Sequence, residues 1–297
     1  MPGKVMAMAE AIRQFVPDGS TVALGTALEP LIPFAAGHEM IRQHRRDLEL
    51  VGPISDALFD QLIGAGCVRR VTAAWVGNVS EGLGQCYRRA CEEGIPRPLE
   101  VLDHSNFSIA LALWAAAWNV PSLPTRTLLG SDILRTNPGL LVADGLVHVK
   151  AVRPDVAIVH VQRADEMGRA HAWGPIGITE EAGLAASGVI ITCEELVDAG
   201  VTLSDPNRIL FPETKVVAVV HEPGGAHPSP VQGFFKRDHS FYRQYAQQSR
   251  SVAGYDAWLK EWVTQVPDRG TYMSRVDAAS LRITRHRMSE PVDYGAE

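Results

Sequence analysis

Short apolar runs rich in valine and isoleucine recur along this chain, each closed by Gly, Pro, Asp or Asn. This alternation constrains the fold more than any other feature. The runs are Thr21–Leu24, Leu48–Val51, Val68–Val76, Leu99–Leu102, Val156–Val161, Val189–Thr192 and Lys215–His221. Several are continuous rather than alternating, as parallel strands buried on both faces are. Before and between them, Met6–Phe15, Pro33–Gln43, Gly84–Glu93, Ser108–Trp118 and Ile178–Ser187 read as helical stretches. Strand and helix in alternation predict an α/β fold with an open, largely parallel sheet and flanking helices. At 297 residues the chain can bury about three quarters of its unfolded surface, so its core needs no staples.

After Pro228 the texture changes. Phe234–Val263 is aromatic, charged and helix-like, and basic residues cluster in Leu281–Met288. No flexible linker separates the two textures. The expectation is therefore an α/β domain over residues 1–235, with a helical C-terminal extension over 236–297 packed on the same domain.

Charge and composition exclude several function classes. With 28 Lys and Arg against 34 Asp and Glu, the net charge is −6, and no basic stripe marks a nucleic-acid binder. The longest apolar run, Ile109–Val120, is too short to span a bilayer and holds Trp114, Trp118 and Asn119. Residues 1–10 show no basic segment followed by an apolar one, so no secretion signal is visible and a cytoplasmic location is expected. Cys67, Cys86, Cys91 and Cys193 follow no metal-binding spacing, and reduced thiols are expected. Ten histidines stand without carboxylates at metal-ligand spacing, which argues against metal catalysis.

Motifs with known mechanics are missing: neither a Rossmann fingerprint, a P-loop, HExxH nor GxSxG occurs. What remains is a set of polar, glycine-bearing segments at the carboxyl ends of the expected strands, where open α/β sheets bind ligands. Gly25-Thr26 follows the first strand, as a tight turn or as a place for close backbone approach. Asn78 follows the Val68–Val76 run. Asp103-His104-Ser105-Asn106 follows Leu99–Leu102, with Ser105 or Asn106 placed to cap the next helix. Gln162-Arg163 ends the Val156–Val161 strand, and Arg163 has the chemistry to meet phosphate or carboxylate. Gly224-Gly225-Ala226-His227-Pro228-Ser229 follows the last strand, its two glycines permitting a nest of N–H groups. Glu194 and Glu195 are adjacent and point apart, so structural ion pairing is expected of them rather than a catalytic pair. No convincing nucleophile emerges from these segments.

Taken in order, these segments resemble a known family. They are Asp18–Gly25, Leu62–Gly66, Trp75–Val79, His104–Phe107, Leu128–Ile133, His160–Asp165, Cys193–Asp198 and Pro223–Ser229. Together they resemble the A (alpha) chain type of family I coenzyme A transferases, closest to the glutaconate CoA-transferase kind, from about Met6 to Tyr245. The resemblance implies an open α/β CoA-transferase fold and a homologous B subunit, in an αβ or α2β2 hetero-oligomer. It implies coenzyme A as a substrate, with acyl-CoA and carboxylate partners and no permanently bound cofactor. The nucleophile it implies is a glutamate of the B subunit in a Ser-Glu-Asn-Gly type motif, which this chain does not contain. Substrate-binding positions carried by the resemblance are Gly25, Thr26, Asn78, His104, Ser105, Asn106, Gln162, Arg163, Gly224, Gly225, His227 and Ser229. The chain departs from the family at Gly25-Thr26-Ala27, where relatives often carry Gly-Gly-Phe, which implies an altered acyl pocket. A related class hydrolyses a ring carbon–carbon bond of an acyl-CoA in steroid degradation, using a glutamate in the loop after Leu99–Leu102. Asp103-His104 stand there instead, which favours the transferase. Ring-opening hydrolysis and a non-catalytic acyl-CoA-binding subunit stay as alternatives.

Overall fold

The computed structural model describes residues 3–277 and 281. Seven parallel strands build the central sheet: β1 (Thr21–Ala23), β2 (Leu48–Ile54), β3 (Val68–Trp75), β4 (Glu100–Asp103), β5 (Val156–Ala164), β6 (Gly188–Leu196) and β7 (Val216–His221). Their order across the sheet is β7-β6-β5-β1-β2-β3-β4. The chain thus winds outward from β1 to β4, returns to place β5 beside β1, and winds outward again to β7. A short strand, Ala170–His171, adds antiparallel to the end of β5. The expected runs all become strands. β4 and its following helix shift by one or two residues, because the Ser105–Ser108 capping box starts that helix at Asn106.

Continuous apolar runs become strands covered on both sides. Ile158 and Ile190 join one core with Ile12, Met40 and Phe59. Their neighbours Val159 and Ile191 face the other, with Leu113, Ala182 and Phe211. Successive strand residues point to opposite faces, so one run feeds two cores.

The aromatic segment after Pro228 joins the first of these cores. Helices His239–Gln248, Val252–Leu259 and Arg269–Ser274, with the π-helical turn Lys260–Thr264 between the last two, bring Phe241, Tyr242, Tyr245, Tyr255, Trp258, Trp262 and Tyr272 into the same cluster as Ile12 and Phe59. Phe241 meets Trp262 edge-on at 4.8 Å between ring centroids, a favourable aromatic geometry. Most of the expected Leu281–Met288 basic cluster lies outside the described residues.

Two further features were not among the expected elements. Ala57–Gly64 forms a helix between β2 and β3. Ser122–Thr125, Leu140–Ala143 and Leu146–Lys150 form a small antiparallel sheet, with the last of them in the middle. Its hairpin turns on Asp144-Gly145, both at positive φ, the geometry of a tight two-residue turn. Leu140, Val147 and Val149 pack with Ile109 and Leu113, so this sheet covers the helix that follows β4. Among the described residues, no helix is long and apolar enough to cross a membrane.

Candidate functional site

A doubly wound sheet has one place where neighbouring strands lead their connections in opposite directions. Here it lies between β1 and β5, and the crevice beyond their carboxyl ends is where such folds bind ligands. β1 stops at Ala23, which pairs with Ala157, whereas β5 and β6 run on together to Ala164 and Leu196. The two longer strands form a wall beside the end of β1.

Gly25 turns the chain at the foot of that wall. Its φ is +67°, and a Cβ there would stand 2.1 Å from Ser55 Oγ and 2.8 Å from Ser55 Cα. Only glycine allows this turn and this approach together. Thr26 follows, buried, with its hydroxyl 3.0 Å from that of Thr179.

Residues 222–238 then cross the carboxyl edge of the sheet as a strap, from the end of β7 back over β1. The Leu31 N–H donates to Pro230 O and the Ala35 N–H to Gly225 O, at 3.1 and 2.9 Å. Ser229 Oγ donates to Glu29 O at 2.5 Å and accepts from the Ile32 N–H at 3.3 Å. The loop after β1 and the loop after β7 are therefore one hydrogen-bonded unit.

That unit rests on buried charge. Glu194 accepts from the Gly224 N–H at 2.9 Å and pairs with His160 Nε2 at 2.8 Å, while His160 Nδ1 meets Thr192 Oγ1 at 2.8 Å. From the other side, Arg269 donates to Gly224 O at 2.6 and 2.8 Å and to His227 O at 2.6 Å. His227 is held between Tyr272 Oη at 2.9 Å and Asp238 Oδ2 at 3.1 Å. Burial lowers the pKa of His227. Glu194 thus acts by structural pairing, as its adjacency to Glu195 led one to expect. The side chains of His227 and Ser229 are fully buried and shape the loop rather than line the crevice.

The remaining sequence-derived positions divide. Gln162 is buried beneath the strap, its Nε2 donating to Trp173 O at 2.9 Å and its Oε1 accepting from the Trp173 N–H at 3.3 Å. Arg163 points to the opposite face, where its NH2 lies 2.9 Å from His171 Nδ1 and its guanidinium is 5.8 Å from the Trp173 ring centre. His171 Nε2 faces Thr202 O at 2.9 Å, so the neutral ring donates there and accepts from Arg163.

His104, Ser105 and Asn106 sit beyond β4, the sheet edge three strands from β1. At about 4.8 Å per strand that is about 14 Å from the switch point, so the fold does not bring them to Gly25. Ser105 caps the helix. His104 is buried against Ser108 Oγ at 3.0 Å, and burial pushes its pKa down to about 4. Between pH 6.5 and about 4 the unfolded chain binds a proton that folded His104 refuses, so this contribution to stability falls as pH falls. A His104→Asn variant is expected to flatten the loss of unfolding free energy across that window by about 3 kcal/mol, read by urea titrations at pH 7 and pH 4.

Asn78 belongs to a cluster that the sequence did not reveal. Its Nδ2 donates to Asp56, and its Oδ1 accepts from the N–H groups of Ser80 and Glu81 at 2.9 Å. Asp56 is paired with Arg237 of the strap at 2.7 Å, and Arg237 lies 4.0 Å from Glu29 of the β1 loop. Asp56, Arg237 and Glu29 carried no spacing that marked them, since three distant segments meet here. Cys67, Cys86 and Cys193 are buried free thiols, and burial pushes Cys67 and Cys193 up to about 12. Among the described residues no His, Cys, Asp or Glu cluster could hold a metal ion.

Residues 5–222 match the family model described as Coenzyme A transferase. The chain belongs to the coenzyme A transferase family. It is 38% identical to the A subunit of 3-oxoadipate CoA-transferase from Pseudomonas knackmussii, over 92% of this chain and 98% of that one. It is 30% identical to the A subunit of glutaconate CoA-transferase from Acidaminococcus fermentans, over 94% and 93% of the two chains. The crystal structure of that organism's glutaconate coenzyme A-transferase superposes with a TM-score of 0.89, at 29% identity, covering 95% of this chain and 96% of the other. The Cholesterol ring-cleaving hydrolase IpdA subunit of Mycobacterium tuberculosis is 26% identical, over 89% of this chain and 94% of that one.

The match to the coenzyme A transferase family model ends at Glu222, where the strap begins. Both grips that fix the strap come from within the chain: Glu194 from β6 inside the matched region, and Arg269 from the helical segment beyond it.

Proposed function

We propose that this chain is the A subunit of a heteromeric CoA-transferase, which moves CoA between an acyl-CoA and a carboxylate. The observation that carries the reading is full-length similarity to a relative named as the A subunit of a CoA-transferase, 38% identical over 98% of its length. The hydrogen-bonded strap and the β1 loop at the switch point support it, because they offer a pre-organised wall beside the crevice. In this reading a B-subunit glutamate carboxylate attacks the acyl-CoA carbonyl, and the departing CoA thiolate then attacks the glutamyl carbonyl. That releases the first carboxylate and leaves a glutamyl-CoA thioester, which the acceptor carboxylate opens by the same steps in reverse. Each tetrahedral intermediate needs fixed donors for its oxyanion. Gly25, Thr26, Gly224 and Gly225 shape this chain's side of the pocket, with Gln162 supporting the strap from beneath, Asn78 beyond the end of β3, and Arg163 turned to the opposite face. CoA is a substrate that leaves, the assembly is αβ or α2β2, and the setting is cytoplasmic.

The test is co-expression with a B-type partner, followed by CoA exchange between labelled acyl-CoA and a panel of carboxylates. Exchange that depends on both chains is expected, with ping-pong kinetics and no net loss of thioester. Free acid formed from a cyclic acyl-CoA without acceptor would instead support ring-opening hydrolysis. A chain that binds CoA esters alone and recovers no partner would support a binding subunit.

A further inference from the structure

Asp56 stands at the N-cap of the helix Ala57–Gly64, yet its side chain accepts nothing from that helix. An aspartate in this position ordinarily takes up one of the helix's own free N–H groups. Asp56 turns away instead, at φ +50° and ψ −135°, a backbone region that side-chain-bearing residues rarely adopt. Its carboxylate is buried. Oδ2 lies 2.7 Å from Arg237 of the strap, and Oδ1 accepts from Asn78 Nδ2. A residue that is strained, buried and forgoes its cap serves something other than its own helix.

Asn78 is engaged at both ends of its amide. It belongs to a hairpin beyond β3, in which Gly77–Asn78 pairs antiparallel with Gly82–Leu83. Its Oδ1 accepts from the Ser80 and Glu81 N–H groups at 2.9 Å and so closes the turn. Its Nδ2 ties that turn to Asp56. Gly77, Glu81 and Leu83 of the hairpin line a cleft of about 120 Å³ together with Tyr242 and Arg243.

We propose that Asn78 and Asp56 are positioning residues, whose donor–acceptor pair holds this hairpin as a wall of the cleft while acyl-CoA is bound. The role rests on the CoA-transferase reading above, and it takes the place of direct contact between Asn78 and substrate. Burial raises the Asp56 carboxyl and Arg237 opposes that rise, which favours the ionised form, the stronger acceptor. Glu29 of the β1 loop lies 4.0 Å from the same guanidinium. The Tyr242 ring centre lies 4.2 Å from its carbon, and Glu81 is the charged residue of the hairpin itself.

The test exchanges the two side chains. Asn78→Asp keeps an acceptor for the Ser80 and Glu81 amides but sets a second carboxylate against Asp56. Adding Asp56→Asn reverses donor and acceptor and restores the link, and asparagine tolerates positive φ as aspartate does. In the full chain, hydrogen-exchange protection of the Ser80 and Glu81 amides is expected to fall about tenfold in Asn78→Asp at about pH 8. It is expected to recover at about pH 5.5, where the two carboxyls share a proton. The double variant is expected to be protected at both pH values. In the complex with the B subunit, measured with the acyl-CoA and acceptor that the carboxylate panel identifies, KM is expected to rise about tenfold in Asn78→Asp. The value of kcat should stay within about twofold, and KM should return in the double variant. Protection that the double variant does not restore would overturn the link between Asp56 and Asn78. Restored protection with an unmoved KM in Asn78→Asp would overturn the positioning role and leave the transferase reading standing. If the wild-type complex exchanges nothing, the transferase reading fails, and the Kd for butyryl-CoA decides. About tenfold weakening in Asn78→Asp, reversed in the double variant, would support the positioning role, and an unmoved Kd would overturn it.

Discussion

Truncating Arg269 to alanine is expected to destabilise the protein by about 3 kcal/mol and to loosen the loop after β1, which it does not touch. Arg269 is 6% exposed, and its guanidinium lies 3.9 Å from the Tyr272 ring centre. Gly224 O keeps a second donor in the His227 N–H at 3.0 Å, so the loss falls hardest on His227 O, which is left buried without the guanidinium that it accepts from. Arg269→Lys keeps the charge but not the fork, and is expected to recover less than half of the loss. Urea denaturation reads the stability. Hydrogen exchange reads the coupling: the Leu31 and Ala35 amides, bonded to Pro230 O and Gly225 O, should lose protection along with the strap. Unchanged protection at Leu31 and Ala35 would show that the strap does not organise the β1 loop.

This coupling explains why some parts of the molecule were legible in the sequence and others were not. The parallel sheet was written in the continuous Val and Ile runs, because burial on both faces leaves no other pattern. Val156–Val161 and Val189–Thr192 became the two longest strands of the wall for that reason. The hairpin at Asp144-Gly145 had a local signal too, a turn dipeptide between apolar runs, but its strands are half exposed and lack the buried-strand texture. Gly25 and Gly224 were visible as glycines at strand ends. The partners that give them meaning were not. Ser55, Glu194 and Arg269 are far from these glycines in the chain, and their roles exist only once the sheet order is fixed. The same holds for Arg237 and Asp56, which are ordinary surface-type residues by composition and become a buried pair only through the strap. Resemblance to a family supplied the function and the expectation of a B subunit. It supplied neither the buried grips nor the separation of His104 from the switch point.

Replacing Gly25 by alanine is expected to cost about 4 kcal/mol. Two causes add. The backbone sits at φ +67°, which costs a Cβ-bearing residue about 1 kcal/mol. The new methyl would also stand 2.1 Å from Ser55 Oγ, 2.5 Å from Ser55 Cβ and 2.8 Å from Ser55 Cα. The hydroxyl cannot swing aside freely, because it donates to Leu24 O at 2.8 Å, and the Cα is backbone. Relief requires β1 and β2 to part at their carboxyl ends, which moves Asp56 on one side and the Thr26–Glu29 loop on the other. Gly19 is the control: it has φ +82°, and a methyl group there would meet nothing within 4 Å. Gly19→Ala is therefore expected to cost only the conformational part, about 1 kcal/mol. The difference between the two urea midpoints measures the close approach alone. Equal midpoints would mean that the β1 turn can open without disturbing β2, and that the crevice floor is not set by the Gly25–Ser55 contact. A deficit confined to Gly25→Ala, with CoA exchange lost in step, would tie the floor of the switch-point crevice to the chemistry proposed there.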